Sequence, residues 1–246
     1  MTFFLGHSVY SAFSDSSTPD CLQSCLTTIS DWSDHWQLKL SPTKCSVLHV
    51  CPARRRKESN SFVYHIGNTV LPSVDSITDL GVTYDTKLMF RPHIDKVVLK
   101  AALRAKLILK CFCSRDPSLS RAFCTFIRPI LEYCSTSWNL FYKCDISKIE
   151  SVQRRFTRRL NGLKNLSYSC RLARLNLDSL YCRHVKSDLT MCYKIISNLI
   201  CIDIHPPFNF MLSSTSQTRG NSMKLKKNHV VPARDGHFFV NHIINI

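Results

Sequence analysis

One short stretch, VQRRFTRRL at residues 152–160, alternates pairs of arginines with apolar residues. Its four cations are Arg154, Arg155, Arg158 and Arg159. Guanidinium groups gathered on one exposed face bind phosphates through charge-assisted hydrogen bonds. A basic face is also how an ordinary amphipathic helix stays in solution. The stretch alone therefore leaves two interpretations open, a phosphate-binding face and a solvated face.

The rest of the chain contains no recognisable catalytic motif. Six glycines are too few for the usual dinucleotide-binding or phosphate-binding loops, and neither pattern occurs. Asp75 and Asp79 could be paired carboxylates, but their Ser and Thr neighbours favour turn and cap roles. Cys45 and His49, four residues apart on a strand, would share a face but lie far apart, which favours packing over a thiol nucleophile. Residue chemistry alone predicts no active site.

The positive charge is concentrated in the middle of the chain. The net charge is +16, and residues 86–194 carry 22 basic and 7 acidic residues, a net +15. A basic block indicates a polyanionic partner more strongly than evenly spread charge does. The block therefore favours nucleic acid over a merely solvated surface.

Composition and cysteine usage are typical of an intracellular protein, nuclear or cytoplasmic. No apolar run is long enough for a transmembrane helix, and MTFFLG lacks the basic start of a signal peptide. The 13 cysteines are an odd number without a Cys-x-x-Cys pair. This usage predicts reduced, mostly buried thiols rather than disulfides or a metal site. We expect no membrane partner, and the sequence leaves the oligomeric state open.

The first 90 residues have the pattern of a small α+β domain. A helix over 20–37 is predicted from the 3-4 spacing of Leu22, Cys25, Leu26, Ile29, Trp32, Ser33 and Trp36. The segment 44–50 is β-prone, and Gly67-Asn68 between apolar runs predicts a hairpin over 62–72. DLGVTYD, at 79–85, adds a short strand and a turn. RRRK at 54–57 favours a polar loop over a nuclear-import patch.

Residues 91–200 have helical patterns. Over 93–112 one face carries Ile94, Val97, Val98, Ala101, Ala105, Ile108 and Phe112, and the other carries Lys96, Lys100, Arg104, Lys106 and Lys110. A further helix or pair of helices is predicted over 118–138, bent or broken at Pro129.

Two further helices are predicted before the end of this part. One covers 146–163, begins at Asp145 as N-cap and packs through Ile149, Val152, Phe156, Leu160 and Leu163. A last helix over 179–199 has the apolar residues Leu180, Val185, Leu189, Tyr193 and Ile196. Beyond it, 201–246 is predicted to be loosely ordered.

Several long segments together resemble the reverse transcriptase of LINE-type (non-LTR) retrotransposons. In order, they are DCLQSCLTTISDWSDHWQLKLSPTKCSVLHV, DLGVTYDTKLMFRPHI, LSRAFCTFIRPILEYCSTSWN, DISKIESVQRRFTRRLNGL, LSYSCRLARLNLDSL and DLTMCYKII. The likeness covers about residues 8–200. This part of the chain is similar to the part of the enzyme that follows its catalytic Tyr-x-Asp-Asp turn. It implies an α+β chain: an incomplete, palm-like antiparallel sheet with one helix at 1–90, an all-helical thumb-like bundle at 91–200, and a C-terminal segment at 201–246 that looks truncated.

The resemblance also implies roles for individual residues. Lys44 would lie near the incoming nucleotide and help to protonate the departing pyrophosphate. The residues of a primer-grip-like hairpin would be Leu80, Gly81 and Val82. The thumb-like helices would hold an RNA/DNA primer–template duplex through its phosphates, with Lys96, Lys100, Arg104, Arg154, Arg155, Arg158 and Arg159 as the contacts.

The same resemblance indicates that catalysis is missing. In the family, aspartates of the Tyr-x-Asp-Asp turn and of an earlier strand bind two metal ions for nucleotidyl transfer. Aligning Tyr10 with the tyrosine after that turn places Leu5 and Gly6 at the aspartate positions. We therefore expect no metal or other cofactor in this chain, whereas the parent polymerase uses Mg²⁺.

The sequence thus predicts part of a retrotransposon RNA-directed DNA polymerase that holds the primer–template duplex without catalysing extension. The missing upstream polymerase segments would be its natural partners. The alternatives are a non-catalytic nucleic-acid-binding module and a helical protein-interaction remnant. The polymerase part and the nucleic-acid-binding module both predict nucleic-acid binding that weakens steeply with salt, whereas the protein-interaction remnant does not.

Overall fold

The computed structural model describes residues 2–5, 8–11, 18–50, 62–138, 140, 142–197 and 199–200. It divides the chain into two compact units, Met1–Phe90 and Arg91–Ile246. The first unit combines short strands with one long helix, and the second is helical in its described part. The chain therefore has the predicted α+β fold. The loop predicted at 54–57 and the segment 201–246 lie outside the described residues.

The described part of the first unit contains short strand pairs and one long helix. Its elements are β1 (Thr2–Leu5), β2 (Ser8–Ser11), α1 (Thr18–His35), a 3₁₀ turn (Pro42–Lys44), β3 (Val47–Leu48), β4 (His65–Ile66), β5 (Thr69–Val70), β6 (Ser73–Val74), β7 (Ser76–Asp79) and β8 (Val82–Asp85). Among the described strands, β1–β2, β4–β5 and β7–β8 pair antiparallel, whereas β3–β6 is parallel. The β-prone segment 44–50 forms only the two-residue strand β3, because its first residues complete the turn that Pro42 begins.

Two of the antiparallel pairs are tight hairpins whose turns need left-handed backbone. The β4–β5 turn uses Gly67, with φ +57°, as the Gly-Asn pattern predicted. The β7–β8 turn has Leu80 at φ +46° and Gly81 at φ +85°. Positive φ at both central residues matches the right-handed twist of a two-residue hairpin.

The predicted inward face of α1 is wrong at two positions. Trp32 and Trp36 are 54% and 61% exposed, while the small Ser33 is buried. Ser33 donates its hydroxyl hydrogen bond to the Ser30 carbonyl at 2.8 Å, so its polar group is satisfied within the helix. Ser33 belongs to the predicted row and is buried as expected, whereas the two tryptophans of that row are exposed.

The described cysteines are free thiols, but the prediction that they are mostly buried is wrong. Cys192 is buried, whereas the exposed thiols are Cys21, Cys111, Cys113, Cys134, Cys144 and Cys170. Most of these lie on the solvent faces of amphipathic helices or in turns. They therefore do not supply the core volume that their apolar character suggested.

The second unit is a helical bundle. Its helices are α2 (Arg91–Cys111), α3 (Ser120–Ala122, π-helical Phe123–Ile127 and Arg128–Glu132), α4 (Lys143–Thr157), α5 (Tyr168–Leu175) and α6 (Leu180–Ile196). The π-helical turn lies just before Pro129, whose missing N–H and bulky ring disturb the regular helix, as predicted. Within the described residues, no helix is both long and apolar enough to cross a membrane.

The core of this bundle centres on Trp138, which is fully buried. Its indole Nε1 donates to the Tyr133 carbonyl at 2.9 Å. The rings of His93 and His184 meet the indole edge-on, with centroid distances of 5.1 and 5.3 Å. A second aromatic pair, Phe123 and Phe156, joins α3 to α4 at 5.1 Å.

Two predicted helix faces are partly wrong. On α2, Phe112 follows the end of the helix and is 52% exposed, although Ile94, Ala101, Ala105 and Ile108 are buried as predicted. On α6, Leu189 and Tyr193 are 45% and 61% exposed. The buried row of α6 is instead Leu180, His184, Asp188 and Cys192, at a spacing of four. Two polar members hid that row from a hydrophobic pattern.

Candidate nucleic-acid interface

The four arginines lie where α4 ends rather than along one helical face. Arg154 and Arg155 are in the last turn of α4, which ends at Thr157 instead of the predicted Leu163. Arg158 and Arg159 follow in a turn, and all four side chains are exposed. Cations near a helix C-terminus interact favourably with its dipole. The four charges therefore form a compact cluster, called here the arginine turn.

Apolar residues fix this turn from the inside. Val152, Phe156 and Leu160 are 3%, 1% and 2% exposed, which confirms the inward face predicted from their spacing. Leu163, beyond the helix, is also buried. The Asn161 N–H donates to the Arg115 carbonyl at 2.7 Å, and Gly162 then reverses the chain with φ +73°.

The start of α4 also differs from the prediction. Tyr142 occupies the N-cap position, and Asp145 lies inside the first turn. The Asp145 carboxylate is buried and lies 3.7 Å from Arg91 Nε and 3.7 Å from Lys148 Nζ. It joins the start of α2 to α4 by ion pairing, a role that capping rules do not anticipate.

A buried arginine that the sequence analysis missed closes the end of α4. Arg171, on α5, is 5% exposed. Its guanidinium donates to Thr157 Oγ1 at 3.2 Å, to the Leu166 carbonyl at 2.7 Å and to the Arg154 carbonyl at 3.4 Å. The Arg154 carbonyl also accepts from the Arg158 N–H at 3.2 Å, so Arg171 adds a further donor at the end of the helix. Arg171 therefore ties α5 to the end of α4, beside the arginine turn.

Tyr168 lies between the buried and the exposed cations. The Arg154 guanidinium is 5.1 Å from the centre of its ring, and that of Arg171 is 5.5 Å away. The Tyr168 hydroxyl donates to the Glu150 carboxylate. Burial, and then the hydrogen bond to Glu150, raise the pKa of Tyr168 far above its ordinary value, so this hydroxyl stays protonated. The contact restricts Arg154 while leaving it exposed.

The inward face of α4 also carries polar side chains that link it to its neighbours. The Glu150 carboxylate accepts from the backbone N–H groups of Leu180 and Tyr181 at 3.3 and 3.2 Å, which caps the start of α6. Gln153 donates to the Asp178 carbonyl at 2.9 Å. Both side chains are buried. Their polar character gave no sign of burial in the sequence.

The arginine turn has an excess of positive charge. The recorded ion pairs of the second unit involve Arg91, Arg128, Lys148, Arg183 and Lys186. Within the described part of the chain, none of the four arginines of the turn forms an ion pair. Residues 154–164 contain no Asp or Glu. An exposed cluster of this kind attracts an anionic partner.

A second basic row lies on α2. Lys96, Lys100 and Arg104 are exposed and follow one another at a spacing of four. α2 packs against α4, and Lys148 of α4 donates to Asp95 of α2 at 2.6 Å. This row and the arginine turn therefore belong to one compact unit.

The remaining predicted site residues lie in the first unit. Lys44 is exposed in the 3₁₀ turn before β3. Leu80, 69% exposed, and Gly81 form the tip of the β7–β8 hairpin. The Val82 side chain is only 1% exposed. Within the hairpin, an approaching ligand would therefore meet Leu80 and Gly81, whereas Val82 supports them from inside.

Of the two positions aligned above with the family's metal-binding aspartates, only Leu5 lies in the described part of the chain. Leu5, at the end of β1, has a hydrocarbon side chain that cannot bind a metal, and Gly6 lies outside the described residues. The described part of the chain contains no cluster of three or more His, Cys, Asp or Glu side chains that could hold a metal ion.

Comparison with known proteins gives two partial relatives. The chain is 28% identical over 127 residues to an uncharacterised protein of Caenorhabditis elegans, which covers 50% of this chain and 64% of that protein. It is 23% identical over 141 residues to a probable RNA-directed DNA polymerase from transposon BS of Drosophila melanogaster, covering 56% of this chain and 15% of that protein. The chain thus spans less than two thirds of either relative. No family model and no solved structure matches it.

Proposed function

We propose that this chain corresponds to the end of the palm and the thumb of a LINE-type retrotransposon reverse transcriptase. Its function would be to hold an RNA/DNA primer–template duplex. The partial likeness to a transposon RNA-directed DNA polymerase supports the general class. The observation that carries the binding role is the arginine turn, four exposed arginines without ion pairs in the described structure.

The phosphates of a duplex suit this cluster. Each guanidinium offers several donors in a planar fork that matches the oxygens of a phosphate. Binding that depends on phosphates is independent of base sequence. Arg171 and Tyr168 hold the end of α4 in one conformation, which lowers the ordering cost when a duplex binds.

The α2 row extends this function. Lys96, Lys100 and Arg104 belong to the same unit and would add phosphate contacts along the duplex. In the first unit, Leu80 and Gly81 would meet the primer end, and Lys44 would serve the incoming nucleotide only in a complete polymerase.

Binding without catalysis is the expected activity. With Leu5 and Gly6 at the positions of the family's aspartates, the purified chain should bind primed template and extend nothing. The test is titration of a fluorescent RNA–DNA hybrid at several salt concentrations. We expect the logarithm of the association constant to fall linearly with the logarithm of the salt concentration. Each phosphate contact on a duplex should add roughly 0.9 to the steepness of that slope. Salt-independent binding, or no binding at low salt, would contradict the proposal.

A further inference from the structure

The exposed face of α2 carries leucines as well as cations. Leu99, Leu103 and Leu107 are 62%, 59% and 56% exposed. At a spacing of four they stand one above another as a ridge about 12 Å long. Contiguous apolar patches rimmed by polar residues are typical of protein interaction sites. We call these three residues the leucine ridge.

Cations border the leucine ridge on both sides. One neighbouring row is Lys96, Lys100 and Arg104, and the other contains Lys106 and Lys110, all exposed. Before the ridge, Asp95 is paired with Lys148. The face is therefore a narrow apolar strip between two positive strips, and Asp95, the acidic residue of α2, is already paired.

We propose that the leucine ridge docks an amphipathic helix of a partner protein whose apolar strip is bordered by Asp or Glu. Ridges at a spacing of four pack into the matching grooves of another helix. Carboxylates on both borders of the partner would meet the two cationic rows. The narrow apolar strip would thus favour a helix as the partner, and the cationic rows would favour a helix with acidic borders.

Other occupants fit this face less well. A second copy would bring lysines against lysines, because a two-fold contact between ridges repeats the same charges on both sides. A membrane surface favours a broad apolar face, whereas the leucines here span about 80° of the helix. A duplex would contact the cations through its phosphates but would leave the leucines exposed, so it does not account for the ridge.

The probe is a designed 21-residue helical peptide with leucines at the same spacing and glutamates on both borders. Two control peptides carry lysines in place of the glutamates, or serines in place of the leucines. Binding to the full chain is measured by fluorescence anisotropy. We expect the acidic peptide to bind at least about tenfold more tightly than either control, since both apolar burial and charge contribute.

The matched variants are Leu99→Gln/Leu103→Gln/Leu107→Gln and, as a control, Leu189→Gln, which changes an exposed leucine of α6. The triple variant should lose at least about tenfold in affinity for the acidic peptide, while Leu189→Gln binds it as before. Circular dichroism checks that both variants keep their helices. Equal binding of acidic and basic peptides, or unchanged affinity of the triple variant, would overturn the proposal.

Duplex binding separates this proposal from the phosphate-binding function. The triple leucine variant should bind the RNA–DNA hybrid with unchanged affinity and salt dependence, because the arginine turn and the cations of α2 are intact. If the variant lost hybrid and peptide affinity by the same factor, the ridge would belong to the nucleic-acid site. If the wild-type chain sedimented as a dimer that the triple variant abolished, the occupant would be a second copy. Either result would refute a partner helix and leave the arginine turn to its own test.

Discussion

The buried guanidinium of Arg171 donates to Thr157 Oγ1 at 3.2 Å, at the point where α4 ends. Among the described residues, its partners are a hydroxyl, two carbonyl oxygens and the face of Tyr168, without a carboxylate. The negative end of the α4 dipole compensates part of its charge. One side chain thus ties α5 to the end of α4, beside the arginine turn.

Replacing Arg171 should therefore destabilise the second unit. Arg171→Met removes these hydrogen bonds and leaves buried acceptors unsatisfied, a loss of about 2–4 kcal/mol in the free energy of unfolding. Arg174→Met, at an exposed position on the same helix, should change it by less than about 0.5 kcal/mol. Urea denaturation measures both. Equal effects of the two substitutions would mean that Arg171 is an ordinary surface cation.

The contributions of the Tyr168 hydroxyl and of its ring can be tested separately. Tyr168→Phe removes the hydrogen bond to Glu150 but keeps the ring beside Arg154, so it should cost about 1–2 kcal/mol of stability and leave duplex affinity unchanged. Tyr168→Leu also removes the cation–π contact and should weaken duplex binding further. Both are measured by urea unfolding and by hybrid titration. Equal affinities for the Phe and Leu variants would rule out the ring as a support for Arg154.

Asp188 gives a test of stability against pH. This carboxyl is 2% exposed, and burial raises its pKa from 3.8 to about 7. Between these values the folded state binds more protons than the unfolded state, so the contribution of Asp188 to stability falls as the pH rises. Asp188→Asn should therefore gain at least about 1 kcal/mol relative to wild type at pH 8. It should gain much less at pH 4. A gain independent of pH would contradict this assignment.

The contribution of His184 to stability should depend on pH in the opposite direction, falling as the pH falls. Its pKa is lowered by burial, against the raising effect of its contact with the Leu131 carbonyl at 3.0 Å. Stability from the neutral ring is present above the unfolded pKa of about 6.5 and is lost as the pH falls below it. His184→Gln keeps a donor for that carbonyl without a titrating ring. Its stability relative to wild type should rise as the pH falls from 7 to 5, whereas a constant difference would exclude His184 as the titrating group.

Sequence patterns predicted the features of this fold that depend on neighbours along the chain. The Gly67 turn, the disturbance before Pro129 and the inward residues Val152 and Phe156 follow from local geometry and apolar spacing. The resemblance to a reverse transcriptase favours the phosphate-binding interpretation of the arginines, and their role in binding remains a prediction.

The same patterns failed where distant residues meet. Arg171, Glu150, Gln153 and Asp188 are polar side chains that apolar spacing does not assign to the core, yet all four are buried in the folded chain. At the end of α4, Arg171 of α5 contacts the Thr157 hydroxyl and the Arg154 carbonyl, a long-range contact that local sequence does not indicate. The leucine ridge went unnoticed because its lysine neighbours made the face look simply basic. Apolar spacing reports which residues could be buried, whereas long-range contacts decide which ones are.

The salt dependence of RNA–DNA hybrid binding, compared between two variants of equal charge, tests the central claim most directly. One replaces the arginine turn, Arg154, Arg155, Arg158 and Arg159, with glutamine. The other replaces four exposed cations elsewhere, Lys39, Arg121, Arg174 and Lys194. We predict that the first flattens the log–log slope by about one unit per lost phosphate contact, and that the second changes it by less than about one unit in total. Equal slopes for the two variants, or a slope unchanged from wild type in the first, would contradict a phosphate-binding role for the arginine turn.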